Sequence, residues 1–457
     1  MVDAARVRRC VGDPPRPTED PQSLPCVNYF EGDNGASTSQ GVTRDEIRIA
    51  VPDVRPGYPS DFEPLVEHFN RRYEFYGRKL RLEKVPYDFR DTAASVSAAD
   101  EMVDAFAFLM PDQNFPDVGA IQREAARRKM LSVIGFFAHS TSDTYRKGSP
   151  YLWSYAPAAD EAETEVGDFA CTSLVGKTAA FAGPDLRTSQ RRFAVLRQRS
   201  ADDPLDVSAL NAALRRCGIE PPPVIDVRFN DSRDEVARVE LGLRDAHITS
   251  LFVFASTNDT SQWASKLSGQ YHPEWVMSGL GWPEQESQWG LAMPAQFRSS
   301  MFGAFGVSKL LPASDTPSWW AFKESHPDDD GADVGYGEST YFHIAYRTLL
   351  LLASGIQMAG PRLTPESFAA GLQKARFPNP AAGMAPYYQS HIRFGPGDFT
   401  MTYGSAVVWW NDSAPSYTGG GIYQNGGWCY VRRGARFSRD WVDLSGELFS
   451  PDPRACR

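Results

Sequence analysis

Three sets of residues in this 457-residue chain have types and spacings that could carry chemistry. The first is Gly176-Lys177-Thr178, which matches the end of a phosphate-binding P-loop. That loop needs an earlier glycine where this chain has Cys171. It must also run from a strand into a helix, so that backbone N–H groups face the phosphates. Here a strand is expected to follow, and Lys177 reads as a solvated residue at its start. The second set is His326 to Gly337, where Asp328, Asp330 and Gly331 fall at the third, fifth and sixth positions of a calcium loop. Histidine at the first position and glycine at the twelfth leave out the bidentate carboxylate, so the stretch reads as a solvated acidic turn. The histidines form no His-Glu-x-x-His or His-x-x-x-His pair, and no Gly-x-Ser-x-Gly elbow occurs. No metal, no cofactor and no catalytic residue is assigned. Sequons at Asn230, Asn258 and Asn411 read as unmodified.

The third set is the six cysteines, Cys10, Cys26, Cys171, Cys217, Cys429 and Cys456. None makes a Cys-x-x-Cys pair or has a histidine at zinc spacing. They fall as three pairs in sequence order, which predicts disulfides Cys10–Cys26, Cys171–Cys217 and Cys429–Cys456 and an oxidising compartment. The chain opens Met-Val-Asp-Ala-Ala-Arg without an apolar core, so a leader is expected to have been removed before this sequence begins. A net charge of −10 without a basic cluster argues against nucleic acid or an anionic membrane as partner. The longest apolar run, Thr348 to Ser354, is far too short to span a bilayer.

The elements that must position any site alternate. Glu46–Pro52 reads as a strand, and Ser60–Tyr73 as a helix with Phe62, Leu65, Val66 and Phe69 on one face. Strands are expected at Lys79–Val85, Ala105–Met110 and Leu131–Gly135, with helices from Asp91 to about Val103 and from Asp117 to Lys129. The pattern restarts with a strand at Thr178–Ala182 and helical texture over Gln190–Arg216. Strands follow at Val224–Phe229, Ser250–Ala255 and Glu274–Met277, with helices at Asp234–Ala246 and Asp259–Gly269. A long helix is expected at about Ser339–Ala359, then a hairpin over Ile392–Phe399. Such alternation means parallel sheets with helices on both faces.

In this order the elements resemble the type I periplasmic binding proteins, the leucine or branched-chain amino acid-binding branch of ABC-transporter solute receptors. The phrases that carry the resemblance are Gly41–Ala50, Ala125–Gly135, Tyr151–Pro157, Gly176–Gly183 and Ile392–Phe399, together covering about 41–412. It implies an α/β fold of two doubly wound parallel-sheet lobes, a Venus-flytrap joined by three crossover strands. Lobe one is expected over 41–156 and 305–386, and lobe two over 157–304 and 387–412. Hinge points are expected near Ala156, Gly303 and Pro386. Residues 1–40 read as an irregular arm and 413–457 as a Gly/aromatic-rich extension.

The cleft of such a receptor lies at the carboxyl ends of the strands. The loops expected there supply Tyr58, Gln113, Asn114, Phe136, Phe137, His139 and Ser140 from lobe one. Asn258, Asp259, Trp282 and Tyr336 come from lobe two and the return crossing. Aromatic faces with amides and hydroxyls suit a flat or cyclic ligand. The resemblance also implies an acidic residue for a ligand ammonium near position 282, where this chain has tryptophan, with Glu284 two residues on. An ammonium left unpaired in a closed cleft costs several kcal/mol. An aromatic or cyclic ligand is therefore expected over a simple branched-chain amino acid. The expected function is that of a monomeric, extracytoplasmic solute receptor, secreted or lipid-anchored, that is not an enzyme and serves an ABC permease. The alternatives are ligand sequestration or sensing, or an enzyme on the same two-lobed fold.

Overall fold

The computed structural model describes residues 10–13, 15–17, 20–53, 62–86, 104–110, 118–134, 140–198, 206–228, 230–279, 290–306, 316–328, 340–379, 390–418, 422–452 and 456. A short ribbon of β1 (Cys10–Val11) and β2 (Arg16–Pro17) comes first. The first sheet is built from β3 (Glu46–Asp53), β4 (Lys79–Pro86), β5 (Ala107–Met110), β6 (Leu131–Ile134) and β7 (Leu152–Ser154). All pairs are parallel, in the order β4-β3-β5-β6-β7. Every residue of β5 and β6 is buried, as a strand covered on both faces requires. Between the strands lie α1 (Phe62–Arg72), α2 (Val118–Arg127) and α3 (Ser142–Lys147). Helix α1 buries Phe62, Leu65, Val66 and Phe69, the stripe its sequence spacing foretells. The helix expected over 91–103 falls outside the described residues.

Helix α4 (Ala159–Ser173) leads to a second sheet. Its strands β8 (Phe193–Gln198), β9 (Val224–Val227), β10 (Ser250–Phe254), β11 (Glu274–Met277) and β12 (Met301–Phe305) run parallel in the order β9-β8-β10-β11-β12. The order of the first sheet is thus repeated. Helices α5 (Ser208–Arg216), α6 (Arg233–Asp245), α7 (Thr257–Ala264) and α8 (Ala295–Arg298) connect these strands. Then come α9 (Pro317–Ser325), α10 (Thr340–Ala359) and α11 (Pro365–Lys374). The pair β13 (His391–Ile392) and β14 (Thr402–Tyr403) follows. Antiparallel β15 (Ser405–Thr418) and β16 (Ile422–Tyr430) then widen the second sheet beyond β12, and β17 (Arg436–Phe437) pairs with β15.

One expectation is corrected here. The second sheet opens with β8, not with Thr178–Ala182. Thr178 makes a lone bridge to Gln190, and the chain turns tightly at Ala179–Ala182 and Gly183–Leu186. A central strand must fill both faces, and Phe193-Ala-Val-Leu196 does so with every residue buried. The small side chains of Ala179, Ala180 and Ala182 offer too little apolar width. The helical texture assigned to Gln190–Arg216 accordingly divides into β8 and α5.

The core changes hands along the chain. Tyr155 packs in the first core and Ala156 in the second. Phe305 packs in the second and Phe322 in the first. Ile392, Phe394, Phe399 and Met401 pack in the first, Ala406 and Val407 in the second. The third change thus falls at 401–406, whereas Pro386 lies outside the described residues. Gly303 sits inside β12, between Met277 and Val408. A Cβ there would come within 2.0 Å of the Met277 carbonyl, so only glycine allows the strands to approach. Beyond 412, Trp428 and Tyr430 of β16 complete the second core.

All three expected disulfides form. The central one joins α4 to the end of α5 and closes a separation of 46 residues. That is worth about 4 kcal/mol in the chain-entropy account. At the amino ends of β10 and β11, Glu274 is fully buried and receives Arg191 Nε at 2.8 Å and Nη2 at 2.9 Å, Ser250 Oγ at 2.6 Å and the Phe181 N–H at 3.1 Å. This pair ties the turn-rich 178–191 segment to the sheet.

Two outcomes are expected. Glu274→Ala strands the Arg191 charge without its partner and should cost roughly 3–5 kcal/mol in urea unfolding. Replacing both members by apolar residues should recover much of that loss; a single mutant as stable as wild type contradicts the account. Denatured, unreduced protein should show no reactive thiol, and reduction should release all six.

Candidate functional site

In both sheets the strand order reverses next to the first strand, between β3 and β5 and between β8 and β10. Ligand crevices of open α/β sheets lie at such points, outside the carboxyl ends. Of the expected contact residues, Ser140 and Asp259 are described in full. Ser140 is buried, its hydroxyl donates to Gln122 Oε1 at 3.3 Å, and its carbonyl accepts from the Ala159 N–H at 3.0 Å. It therefore fastens the segment after β6 to the start of α4. Asp259 lies in the first turn of α7 and is 8% exposed. Its Oδ2 accepts from Ser256 Oγ at 2.8 Å, and Ser256 Oγ accepts the Asp259 N–H at 3.1 Å, a helix cap. Asn258 occupies the same turn, with its side chain outside the described set. Tyr58, Gln113, Asn114, Phe136, Phe137, His139, Trp282 and Tyr336 also lie outside the described residues.

Sequence reasoning missed Gln198, the last residue of β8. Its Oε1 accepts from the Ser256 N–H at 3.0 Å and so bridges the two strands that flank the second reversal point. A polar residue ending an otherwise apolar strand was the available signal. It also missed a buried polar group behind Ser140, formed by Gln122 on α2, Tyr145 on α3 and Ser154 on β7. Burial, moderated by Ser154 and Gln122, pushes the Tyr145 hydroxyl up to about 12.

Three chain passages meet where the cores change. The first and third lie side by side: the Ser154 N–H donates to the Phe399 carbonyl at 2.9 Å, the Met401 N–H to Ser154 O at 2.8 Å, and the Thr402 N–H to Tyr155 O at 3.0 Å. Two acids one turn apart on α4 hold the third passage. Glu161 Oε2 accepts from the Thr400 hydroxyl at 2.9 Å and from the Ala158 N–H at 2.8 Å. Glu165 accepts from the Gly404 N–H at 3.0 Å and from the Ser405 hydroxyl. Arg436 holds the second passage through the carbonyls of Phe305 at 2.8 Å and Gly306 at 3.1 Å.

Burial raises both acids to about 7. Hydrogen bonds from Ala158 and Thr400 oppose the rise at Glu161, while Asp160 and Asp398 add to it. At Glu165 the Ser405 bond opposes it, Glu161 adds to it, and the Gly404 bond and Arg436 oppose it. Burial also lowers Arg436, against the pull of Tyr430, Tyr155 and Glu165. Glu163 is likewise raised to about 7 by burial, and it turns away to cap α5 at the N–H groups of Ala209 and Leu210.

Among the described residues no group of three or more His, Cys, Asp or Glu side chains is placed to hold a metal ion, and no helix is long and apolar enough to cross a membrane.

A sequence-family model described as Periplasmic binding protein matches residues 61–411. An ABC-transporter substrate-binding protein of Aeropyrum pernix is similar in structure, with TM-score 0.58 and 12% identity over 88% of this chain and 98% of that one. An R. palustris solute-binding protein in complex with 4-hydroxybenzoate superposes with TM-score 0.55 and 13% identity over 83% of this chain and 95% of that one. A branched-chain amino acid ABC-transporter protein of Thermus thermophilus with bound valine gives TM-score 0.54 and 12% identity over 84% and 95%. At such identities the likeness speaks for the fold alone. No curated protein matches the chain in sequence. With the family match extending over most of its length, the chain belongs to the type I, leucine-binding-like periplasmic binding proteins, the solute-binding proteins of ABC transporters.

Proposed function

We propose that this chain is an extracytoplasmic receptor that closes two lobes around one small molecule and presents it to an ABC permease. We further propose that the molecule is aromatic or cyclic rather than a simple branched-chain amino acid. The observation that carries the closing motion is the repeat of one strand order in two sheets whose cores exchange the chain at one place. On this reading lobe one holds the first sheet with α9 to α11, and lobe two holds the second sheet including β15 to β17. Each lobe turns its reversal point to the cleft, and ligand binding energy drives the hinge. Disulfides favour an oxidising compartment.

The ligand reading rests on the residue types of Phe136, Phe137, Trp282 and Tyr336. Among similar solved structures, one holds 4-hydroxybenzoate and another 3,4-dihydroxybenzoic acid, so one fold serves flat aromatic acids, while the Thermus protein holds valine. Gln198, Ser256 and Asp259 supply polar groups at the rim of lobe two.

A thermal-shift panel of 4-hydroxybenzoate against leucine, isoleucine and valine tests the reading. A ligand at a hundredfold its dissociation constant adds about 2.7 kcal/mol of stability. Aromatic acids should shift the melting temperature and the aliphatic amino acids should not; the reverse result overturns the ligand assignment. In titrations with whichever aromatic acid binds, Trp282→Ala should weaken affinity by roughly 2 kcal/mol, as loss of a central aromatic anchor does. An unchanged dissociation constant removes Trp282 from the site.

A further inference from the structure

We propose that Glu161 and Glu165 form a proton-operated latch on the joint between the two sheets, so that pH sets how readily the lobes change their relative orientation. The proposal rests on the two-lobed closing reading above. The geometry is that of a clasp. Both carboxylates leave one side of α4 a single turn apart and grip the third passage at Thr400, Gly404 and Ser405. Arg436 grips the second passage at Phe305 and Gly306. Helix α4 packs in the second core, while Phe399 and Met401, either side of Thr400, pack in the first, so a rotation of one sheet against the other moves Thr400 against Glu161.

The charges do not balance. Arg436 opposes the rise at Glu165, while Asp160 and Asp398 add to the rise at Glu161, so the ionised cluster carries an excess of negative charge that protonation reduces. The other charged or titratable groups facing the pair are Asp160 on α4 and Asp398 in the turn before β14, both negative, with Tyr155 and Tyr430 beside Arg436. Glu161 adds to the rise at Glu165, so charge on the one disfavours charge on the other. Both stand above the value near 4.5 that a solvated glutamate has. The folded joint therefore binds more protons than a hydrated one. Its stability is full below about pH 4.5 and is lost as pH rises through about 7. Above that, ionisation favours whichever arrangement lets water reach the carboxylates.

The test uses the full chain. Amide exchange over 399–405 and small-angle scattering are followed from about pH 5.5 to about pH 8.5, for wild type and for Glu161→Gln, Glu165→Gln and their combination. Glutamine keeps the shape and an acceptor oxygen but cannot ionise. In wild type the opening constant of the 399–405 segment should rise with pH, by up to about tenfold per unit for a one-proton linkage after correction for intrinsic exchange. The radius of gyration should shift over the same range. The double variant should show neither change. Glu163→Gln, which removes an equally raised acid from outside the joint, should leave both wild-type responses in place. A pH-independent wild type, or a double variant that titrates like wild type, overturns the latch. If the double variant does not fold, the wild-type exchange profile alone decides, since a flat profile at 399–405 refutes it. Saturating 4-hydroxybenzoate or leucine is added as a separate arm. Contraction by either probe without any pH response sinks the latch alone. A pH response that the double variant lacks, with no contraction by any solute, keeps the latch and sinks the receptor reading.

Discussion

Two sheets with separate cores in one chain need a joint, and a joint buried between them must satisfy its backbone without help from bulk water. Here Tyr155, Ala156, Met401, Thr402 and Ser405 are all buried. The first and third passages meet part of the demand by bonding to each other. What remains is sorted by kind. The leftover donors, two N–H groups and two hydroxyls, meet Glu161 and Glu165, whose ionised carboxylates only accept. The leftover carbonyls of Phe305 and Gly306 meet Arg436, which only donates. Acids and a base suit this joint because a carboxylate offers several acceptors and a guanidinium several donors on one side chain. The same choice brings the excess charge that couples the joint to protons.

The repeated strand order then decides where function can sit. Helices leave a doubly wound sheet on opposite faces at the reversal point, and that opens a crevice at the carboxyl ends. At the reversal point of the second sheet polar groups are already engaged: Gln198 holds the Ser256 N–H, and Ser256 and Asp259 cap each other. Polar groups fixed in this way have little freedom left to lose in any further contact. In the first sheet Ser140 is fixed through Gln122 and α4, the helix that carries the joint. Ser140 is thus one step from the joint.

Much of this was legible in the residue order, and the failures have physical causes. The stripe on α1 and the runs of β5, β6, β10 and β11 follow directly from periodicity, because each is buried where its pattern says. The disulfides followed sequence order because each closes a local loop. β8 was hidden because Arg191, Arg192, Arg197 and Gln198 flank a short apolar run and give it helical texture. β15 and β16 were hidden because Pro415, Gly426 and Gly427 look like loop residues; their register shifts between Asn411 and Pro415, and an irregular ladder tolerates what a regular one does not. The acids of the joint were hidden for a deeper reason. Glu161 and Glu165 lie on α4, a helix absent from the expected elements, and only the arrival of a passage from a distant part of the chain encloses them. Most of the expected ligand contacts follow directly on strand ends, so their order is legible while their chemistry depends on three-dimensional company.

The N-terminal arm shows the same logic applied to the other end of the first core. Its composition reads as irregular, yet Leu24 is buried and the arm is knitted in by polar atoms. Arg78, at the threshold of β4, donates to the carbonyls of Asn34, Ala36, Thr43 and Pro361. One guanidinium thus ties the arm to the entry of β3 and to the turn between α10 and α11. Burial lowers its pKa, the mark of a charge held by dipoles in place of water. Further along, Asp20 accepts from the Tyr346 hydroxyl at 3.0 Å and Gln22 Oε1 from Arg347 Nη1 at 3.0 Å, both on α10. Gln22 also donates to the Ser390 carbonyl at 2.7 Å, while Tyr155 donates to the Ser390 hydroxyl at 3.3 Å. The arm, the long helix and the first passage are therefore one connected network. Because α10 begins just after Tyr336, the arm fixes the helix that follows a candidate ligand contact. It also reaches the joint through Ser390 and Tyr155, so the arm braces the first core and the joint together.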